Sequence, residues 1–476
     1  MEAEPSNIAV RRRAIDRSLL LYTLGFALLW PFLRRSFYGV TFAGFPDPQT
    51  CYIAFLVVAS SVSVIAFALR KRLTLLLHAR PAIMVVTQSA FSVFMVASLL
   101  LPGETSVREL GGIAAAALLG TAFPLLVVMW GQASLALAAK RRLPVLRAVT
   151  IAFILGFAIS TATVPLETGA SYLFVCFPAL SSACWLACHR KRQLPGCKIA
   201  KIRSLPLARL LVLGAFLLLI SLLRGPFYTG SIDYVPGWDV VAPNLLSVLM
   251  AVLTLAFLTF NKSTKQAFRY AIVAFALLLL AGLLLAIYGD VAAASLHLII
   301  VGKSCFELFL WLLLVDSACG LRISSATIFV PFFLAFELLA SAVSYLVSPL
   351  FVTIFSLSFD RVIPAFSLVT ALVFVAGCFL YLNFEAGSRS AAPSPEPSEA
   401  QTAQSLEMRL ESVEGYQDLT PREQEIALLL AQGNSYKRIA EMLFVSPSTV
   451  QTHAKSLYRK LAIHSKQELV DHLQNN

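Results

Sequence analysis

A chain of 476 residues that is 58% hydrophobic and only 13% charged, with a mean hydropathy of +0.77, is not an ordinary soluble globule. Soluble domains run about 45–50% apolar and about 25% charged. The formal net charge of +12 suits anionic partners, but only its placement along the chain can say which ones.

Apolar stretches of membrane-spanning length occur at residues 17–33, 49–69, 81–101, 109–139, 143–164, 169–188, 206–224, 240–260, 267–288, 291–315, 324–350 and 362–384. Each is close to the roughly 20 residues that cross a bilayer as a helix. An all-α membrane bundle of twelve spans is therefore expected. The first stretch runs into Trp30-Pro31 and Arg34-Arg35 rather than a small-residue cleavage site, so it reads as a retained span and not a leader. With the N-terminus inside, the inner side of the spans carries 23 Lys and Arg and the outer side 5. That bias predicts both termini in the cytoplasm. The basic pI near 9.4 mostly records this topology.

The two halves carry similar landmarks. Arg34-Arg35-Ser36-Phe37-Tyr38 ends the first span and Arg224-Gly225-Pro226-Phe227-Tyr228 ends the seventh. Trp130 and Arg141 of the fourth span have counterparts in Trp311 and Arg322 of the tenth. A long basic loop at 190–205 stands where a 6+6 duplication would join. In span count and repeat, residues 14–384 resemble the major facilitator superfamily, whose members are built from parallel six-span repeats. That resemblance implies solute transport as an alternative activity.

Ionisable groups inside spans are costly and mark functional sites by default. Lys303 and Glu307 of the tenth span are one helical turn apart, His297 lies on its outer half, and the eleventh span carries Glu337. Lys303 and Glu307 either neutralise each other and orient helices, or line a site for a polar ligand or a proton. Arg34 and Arg224, equivalent in the two halves, either clasp an anionic ligand from outside or anchor at the interface. The ligand-site candidates are thus Arg34, Arg224, Lys303, Glu307 and Glu337. Eight scattered cysteines include no CxxC pair, and no metal-ligand cluster, phosphate loop or nucleophile elbow is present. No metal site and no cofactor is expected, and an enzyme is not.

After Glu385 the composition changes. Residues 386–404 are rich in Ala, Ser, Pro, Gly and Glu, as a flexible linker is, and 405–414 suit a short acidic helix. As coil, about 30 residues hold a tethered domain on the order of 30 Å away, room enough for a DNA duplex. Helix-start signals then recur. Thr420-Pro421-Arg422-Glu423 is a capping box, Asn434-Ser435 opens a second helix, Ser446-Pro447 caps a third, and Ser465-Lys466-Gln467-Glu468 is another capping box. The Phe444–Ser446 turn has helix-turn-helix length. On a wheel of residues 447–461, Val450, Ala454, Leu457 and Leu461 form the buried stripe. Ser448, Thr452, Lys455 and Arg459 lie opposite with Gln451 beside them, a face whose donors and acceptors suit a major groove or simply face water. Lys437, Arg438 and Lys460 are close enough in sequence to reach phosphates. Net charge from 418 to 476 is only +1, so placement rather than bulk charge must carry affinity.

Leu419-Thr-Pro-Arg-Glu-Gln-Glu-Ile426, Gly433, Ile439-Ala440, Val445-Ser-Pro-Ser-Thr-Val450, His453 and Lys460-Leu461 closely resemble the LuxR/FixJ-type DNA-binding domain, without a gap over about 55 residues. The resemblance implies a four-helix module with its third helix in the major groove and dimerisation through the last, at Ser465–Leu473 with Val470 and Leu473 in contact. It implies base contacts from Gln451, Thr452 and Lys455, and backbone anchoring by Thr449, Lys437 and Lys460, with Arg459 on the same face. Gln451 stands where lysine is common and Tyr436 where asparagine is common, which bears on target sequence. The expected layout is a tail at 1–16, a membrane domain at 17–384, a linker at 385–417 and the DNA-binding domain at 418–476. A homodimeric, one-component transcription regulator of a bacterial inner membrane follows, partnered by double-stranded DNA, the bilayer and an unidentified small molecule sensed by the spans.

Overall fold

The computed structural model describes residues 7–42, 44–100, 105–163, 170–189, 207–227, 238–261, 263–286, 292–319, 323–347, 350, 354, 364–365, 367–376, 410, 416–431, 434–443, 445–461, 463–465 and 468–469. The chain divides into two compact units, Met1–Leu382 and Asn383–Asn476. Both are helical, and no strand occurs among the described residues.

The first unit is a polytopic membrane bundle. Its elements are α1 (Asn7–Ala27), a 3-10 turn (Trp30–Leu33), α2 (Arg35–Phe42), α3 (Pro48–Ala68), α4 (Arg70–Ala79), α5 (Pro81–Leu100), α6 (Thr105–Ala138) and α7 (Arg142–Ala162). They continue with α8 (Ala170–His189), α9 (Leu207–Phe227), α10 (Trp238–Phe260), α11 (Thr264–Leu285), α12 (Ala292–Ala318), α13 (Ser325–Phe329) and α14 (Ala335–Ala342). Among the described residues eight helices are long and apolar enough to cross a membrane, and four shorter apolar ones lie at Arg17–Leu33, Leu173–Cys188, Leu210–Ser221 and Ser367–Ala376. Each apolar stretch of the sequence thus holds one.

Two spans depart from simple helices. The first breaks after Ala27 into the 3-10 turn, where Pro31 cannot donate to the helical ladder. The eleventh widens into π-helical segments at Val330–Leu334, around Pro331, and at Val343–Val347. Such segments relocate backbone hydrogen bonds and are frequent at functional sites. The stretches 35–42 and 70–79, without spanning length in the sequence, are the short helices α2 and α4.

Burial places α12 at the centre. Its Leu296–Ala318 window is 89% buried against 33% for Pro81–Ser98, which turns Val86 and Val93 outward. Exposed aliphatics on a helix apolar all round suit lipid, the solvent that makes such faces cheap. The core is aromatic: Phe26 packs against Trp130 (centroids 5.6 Å apart) and Trp311 (4.8 Å), the two tryptophans that mark the repeat. Gly25 lets α1 close on α8, because a Cβ there would stand 2.4 Å from Cys184 Cβ.

The second unit buries its own core. Leu410, Tyr416, Leu419, Ile426, Leu430, Ile439, Val450, Ala454, Leu457, Leu461, Ile463 and Leu469 form one cluster around α15 (Pro421–Ala431), α16 (Tyr436–Leu443) and α17 (Pro447–Lys460). Of the expected linker at 385–417 only Leu410, Tyr416 and Gln417 are described, and of the short helix expected at 405–414 only Leu410 is among them.

Candidate functional site

The C-terminal unit is built by its caps. In α15 the capping box is reciprocal: the Thr420 amide donates to Glu423 Oε2 at 2.8 Å, and the Glu423 amide donates to Thr420 Oγ1 at 3.4 Å. Asn434 closes that helix, its amide and its side chain both donating to the Leu429 carbonyl. Ser435 accepts from the Arg438 amide and opens α16. Ser446 accepts from the Thr449 amide at 3.1 Å and opens α17, with Pro447 at its first turn. Arg422 ties the module together by donating to the Leu443 carbonyl at the end of α16.

These caps fix the orientation of α17. Val450, Ala454 and Leu457 are buried, whereas Ser448, Thr449, Gln451, Thr452, Lys455 and Arg459 are exposed. Thr452 Oγ1 donates back to the Ser448 carbonyl at 3.0 Å, which leaves its oxygen as an acceptor. Lys460 behaves differently. Its Nζ donates to Glu423 Oε2 at 2.8 Å and to the Asp418 carbonyl at 3.1 Å, joining the end of α17 to the start of α15. Burial raises the Glu423 pKa, but the Lys460 ammonium and hydrogen bonds from Thr420 and Ser456 outweigh it and hold the carboxyl at about 2. Tyr436, the residue that departs from the usual asparagine, has its hydroxyl 3.1 Å from that of Tyr458 on α17. Burial and that hydrogen bond push the Tyr458 phenol up. The Lys437 side chain lies outside the described part of the structure, as do Val470 and Leu473. The last capping box is only half made: Ser465 Oγ accepts from the Glu468 amide, but Glu468 accepts from the His464 amide rather than that of Ser465.

In the membrane unit four of the five ligand-site candidates converge. Arg34 Nη2 stands 3.0 Å from Glu307 Oε2, and Lys303 Nζ is 2.9 Å from Glu337 Oε1. Lys303 also pairs with Glu307, and Arg34 donates to Ser304 Oγ. All four charged residues are less than a tenth exposed. Arg34 further stacks its guanidinium 4.1 Å over the Phe157 ring. The Arg224 side chain lies outside the described part of the structure, so a clasp with Arg34 is not among the described contacts. Beside the ion cluster lies a cavity of about 20 Å³. Its wall adds residues that the sequence reading passed over: Tyr38, Tyr52, Ser341, Ser344 and Tyr345. Of these only Tyr38 carried a signal, within the repeated motif that follows the first span.

Comparison with known proteins bears on the C-terminal unit. Residues 417–473 match the family model of bacterial regulatory proteins, luxR family. Residues 417–473 are a luxR-family helix-turn-helix domain. A putative HTH-type transcriptional regulator of Mycobacterium bovis is 40% identical over 86 residues, 18% of this chain and 10% of that protein. The transcriptional regulatory protein MctR of Rhizobium johnstonii is 48% identical over 50 residues, 10% of this chain and 23% of its own. The oxygen regulatory protein NreC of Staphylococcus aureus is 48% identical over 54 residues, 11% of this chain and 25% of its own. The chain thus spans about a tenth to a quarter of the length of these relatives. The comparison with solved structures gives two transporters with weak similarity to this chain. FucP, a major facilitator superfamily transporter in the outward conformation, is 14% identical with a TM-score of 0.44, over 78% of this chain and 97% of that one. The human organic anion transporter MFSD10 is 14% identical with a TM-score of 0.42, over 77% of this chain and 97% of that one.

Proposed function

We propose that the protein is a membrane-anchored, one-component transcription regulator that binds double-stranded DNA through its LuxR-type domain and senses a small molecule through its spans. The supporting observation is the face of α17, where Thr452 and Lys455, with Gln451 beside them, are exposed on the side away from the buried Val450, Ala454 and Leu457. In this reading those three read base edges in the major groove, and Thr449, Arg459 and Lys437 anchor the phosphate backbone. Lys460, held by Glu423, contributes more to the fold of the domain than to phosphate binding. The 23-to-5 bias of Lys and Arg supports both termini in the cytoplasm of a bacterial inner membrane, where DNA is within reach of the tether. The module pairs with a second copy through residues 465–473 on a roughly palindromic site. No reaction is assigned to the chain.

The small molecule regulates only if it binds one arrangement of the bundle better than another. Genome-wide footprinting of the intact protein in cells tests the reading: discrete protected sites are expected, and they vanish when residues 417–473 are deleted. A protection pattern indifferent to that deletion overturns it. The buried ion cluster and its cavity also favour a second reading, a major-facilitator-like transporter with a regulatory tail. Uptake of labelled solute into vesicles, abolished by Glu307→Gln, would establish that one instead.

A further inference from the structure

Two tyrosines of the LuxR-type domain meet at their hydroxyls. Tyr436 is the first residue of α16, Tyr458 lies near the end of α17, and their phenol oxygens stand 3.1 Å apart. Both rings pack against the domain core yet are only half-buried, so the pair belongs to the surface of the module. A phenol hydroxyl carries one proton. Two hydroxyls bonded to each other use one proton between them, and the other is left over. No second hydrogen bond to either hydroxyl occurs among the described residues. Burial first, and then the contact with Tyr436, push the Tyr458 phenol up, as befits a hydroxyl that donates within the pair and keeps its proton. The Tyr436 proton is then the one on offer.

Position says what receives it. In a helix-turn-helix the second helix lies in the major groove and the first crosses the phosphate backbone. Here those helices are α17 and α16, and Tyr436 occupies the first turn of α16. That turn carries the positive end of the helix dipole, and Arg438 within it is exposed, so an anion suits the place. Tyr458 comes two turns after Gln451 and one after Lys455 on the same flank of α17, which sets the pair beside residues proposed to read bases. A phosphate oxygen accepts and has no proton to give, so it matches a leftover donor. The match also needs no further charge, in a domain whose net charge from 418 to 476 is only +1. We propose that Tyr436, held by the Tyr458 hydroxyl, donates a hydrogen bond to a backbone phosphate of the bound duplex, with Tyr458 as a positioning residue that acts through it.

This inference rests on the DNA-binding part of the proposed function and adds a contact that carries no charge. The test is binding of the full chain, in phosphatidylcholine nanodiscs, to a mixed-sequence duplex of about 30 base pairs, between about 50 and 200 mM salt. Mixed sequence suffices because phosphate contacts carry no sequence information. Tyr436→Phe keeps the ring and removes only the hydroxyl, and it is expected to weaken binding about tenfold at every salt concentration. The steepness of its salt dependence is expected to stay that of the unaltered protein, since a neutral hydroxyl releases no counterion, whereas Arg459→Ala should lower the steepness by about one. Tyr458→Phe should lose less, about threefold, and the double variant no more than Tyr436→Phe alone. A hydroxyl pair that only braces the fold would lower the melting midpoint and leave affinity as it was. Unchanged affinity in Tyr436→Phe therefore overturns the inference, as do additive losses in the double variant. If Tyr436→Phe does not fold, Tyr458→Phe decides: a loss at unchanged steepness supports the contact, and no loss overturns it. The same titration reads the unaltered protein, and its failure to bind the duplex sinks the DNA-binding reading along with this contact. A Tyr436→Phe variant that binds as well as the unaltered protein sinks the contact alone.

Discussion

The two units each bury a glutamate that receives a basic side chain, and the comparison shows how solvent changes the worth of one interaction. In the membrane unit Glu307 is fully buried and both of its partners, Arg34 and Lys303, are less than a tenth exposed. In the LuxR-type domain Glu423 is also buried, but its partner Lys460 keeps 31% of its side chain exposed. The first set of charges is shielded from water. The second is shared with water and salt, so its net contribution is smaller. The same distinction separates the surfaces: the bundle turns valines and leucines outward, whereas the exposed face of α17 is hydroxyl, amide and cation.

The largest effect should come from breaking the membrane set. Glu307→Ala leaves Arg34 and Lys303 without the carboxylate they share, and removal of one member of a buried ionic group costs about 3–5 kcal/mol. Thermal unfolding of the variant in nanodiscs should show a large drop in midpoint; an unchanged midpoint would mean that the cluster is not buried as described.

Next comes the pair in the LuxR-type domain, which pH can open without mutation. Glu423 is held at about 2 when folded, below its ordinary value of 4.5. A depressed carboxyl adds stability above the unfolded value and loses it as pH falls through the folded one. Denaturant melts of a fragment spanning residues 383–476 should therefore lose about 2 kcal/mol between pH 5 and pH 2 on this account. Glu423→Gln should flatten much of that loss. A variant as acid-sensitive as the parent would contradict the Lys460 contact.

A smaller contrast separates two lysines on one helix. Lys460→Ala should lower the stability of the domain by about 1 kcal/mol, since it removes a charge-assisted contact that is partly screened. Lys455→Ala should leave stability within about 0.5 kcal/mol, because its side chain is exposed and away from the core. Equal melting losses in the two variants would erase the distinction.

Much of this architecture is written locally and was therefore legible in the chain. Apolar length marked the spans, the Thr420–Glu423 spacing marked a capping box that forms, and the 3.6-residue period put Val450, Ala454 and Leu457 inside. Lys303 and Glu307, one turn apart, were visible as a pair for the same reason. What stayed hidden depends on chain segments meeting across long separations. Nothing near Arg34 in sequence says that Glu307, 273 residues on, is its partner. Lys460 lies near the polar side of its helix in any wheel, and only the packing of α17 against the start of α15 turns its ammonium inward to Glu423. The cavity belongs to the same class, since Tyr38, Tyr52 and Tyr345 come from three separate elements.

The central claim, that α17 reads DNA on behalf of a membrane-embedded chain, is tested most directly by chromosomal occupancy of the full-length protein with and without Lys455→Ala. The account predicts a loss of specific binding of about 1–3 kcal/mol in the variant, with the protein still folded and in the membrane. Occupancy equal to that of the unaltered protein at the same sites would contradict it.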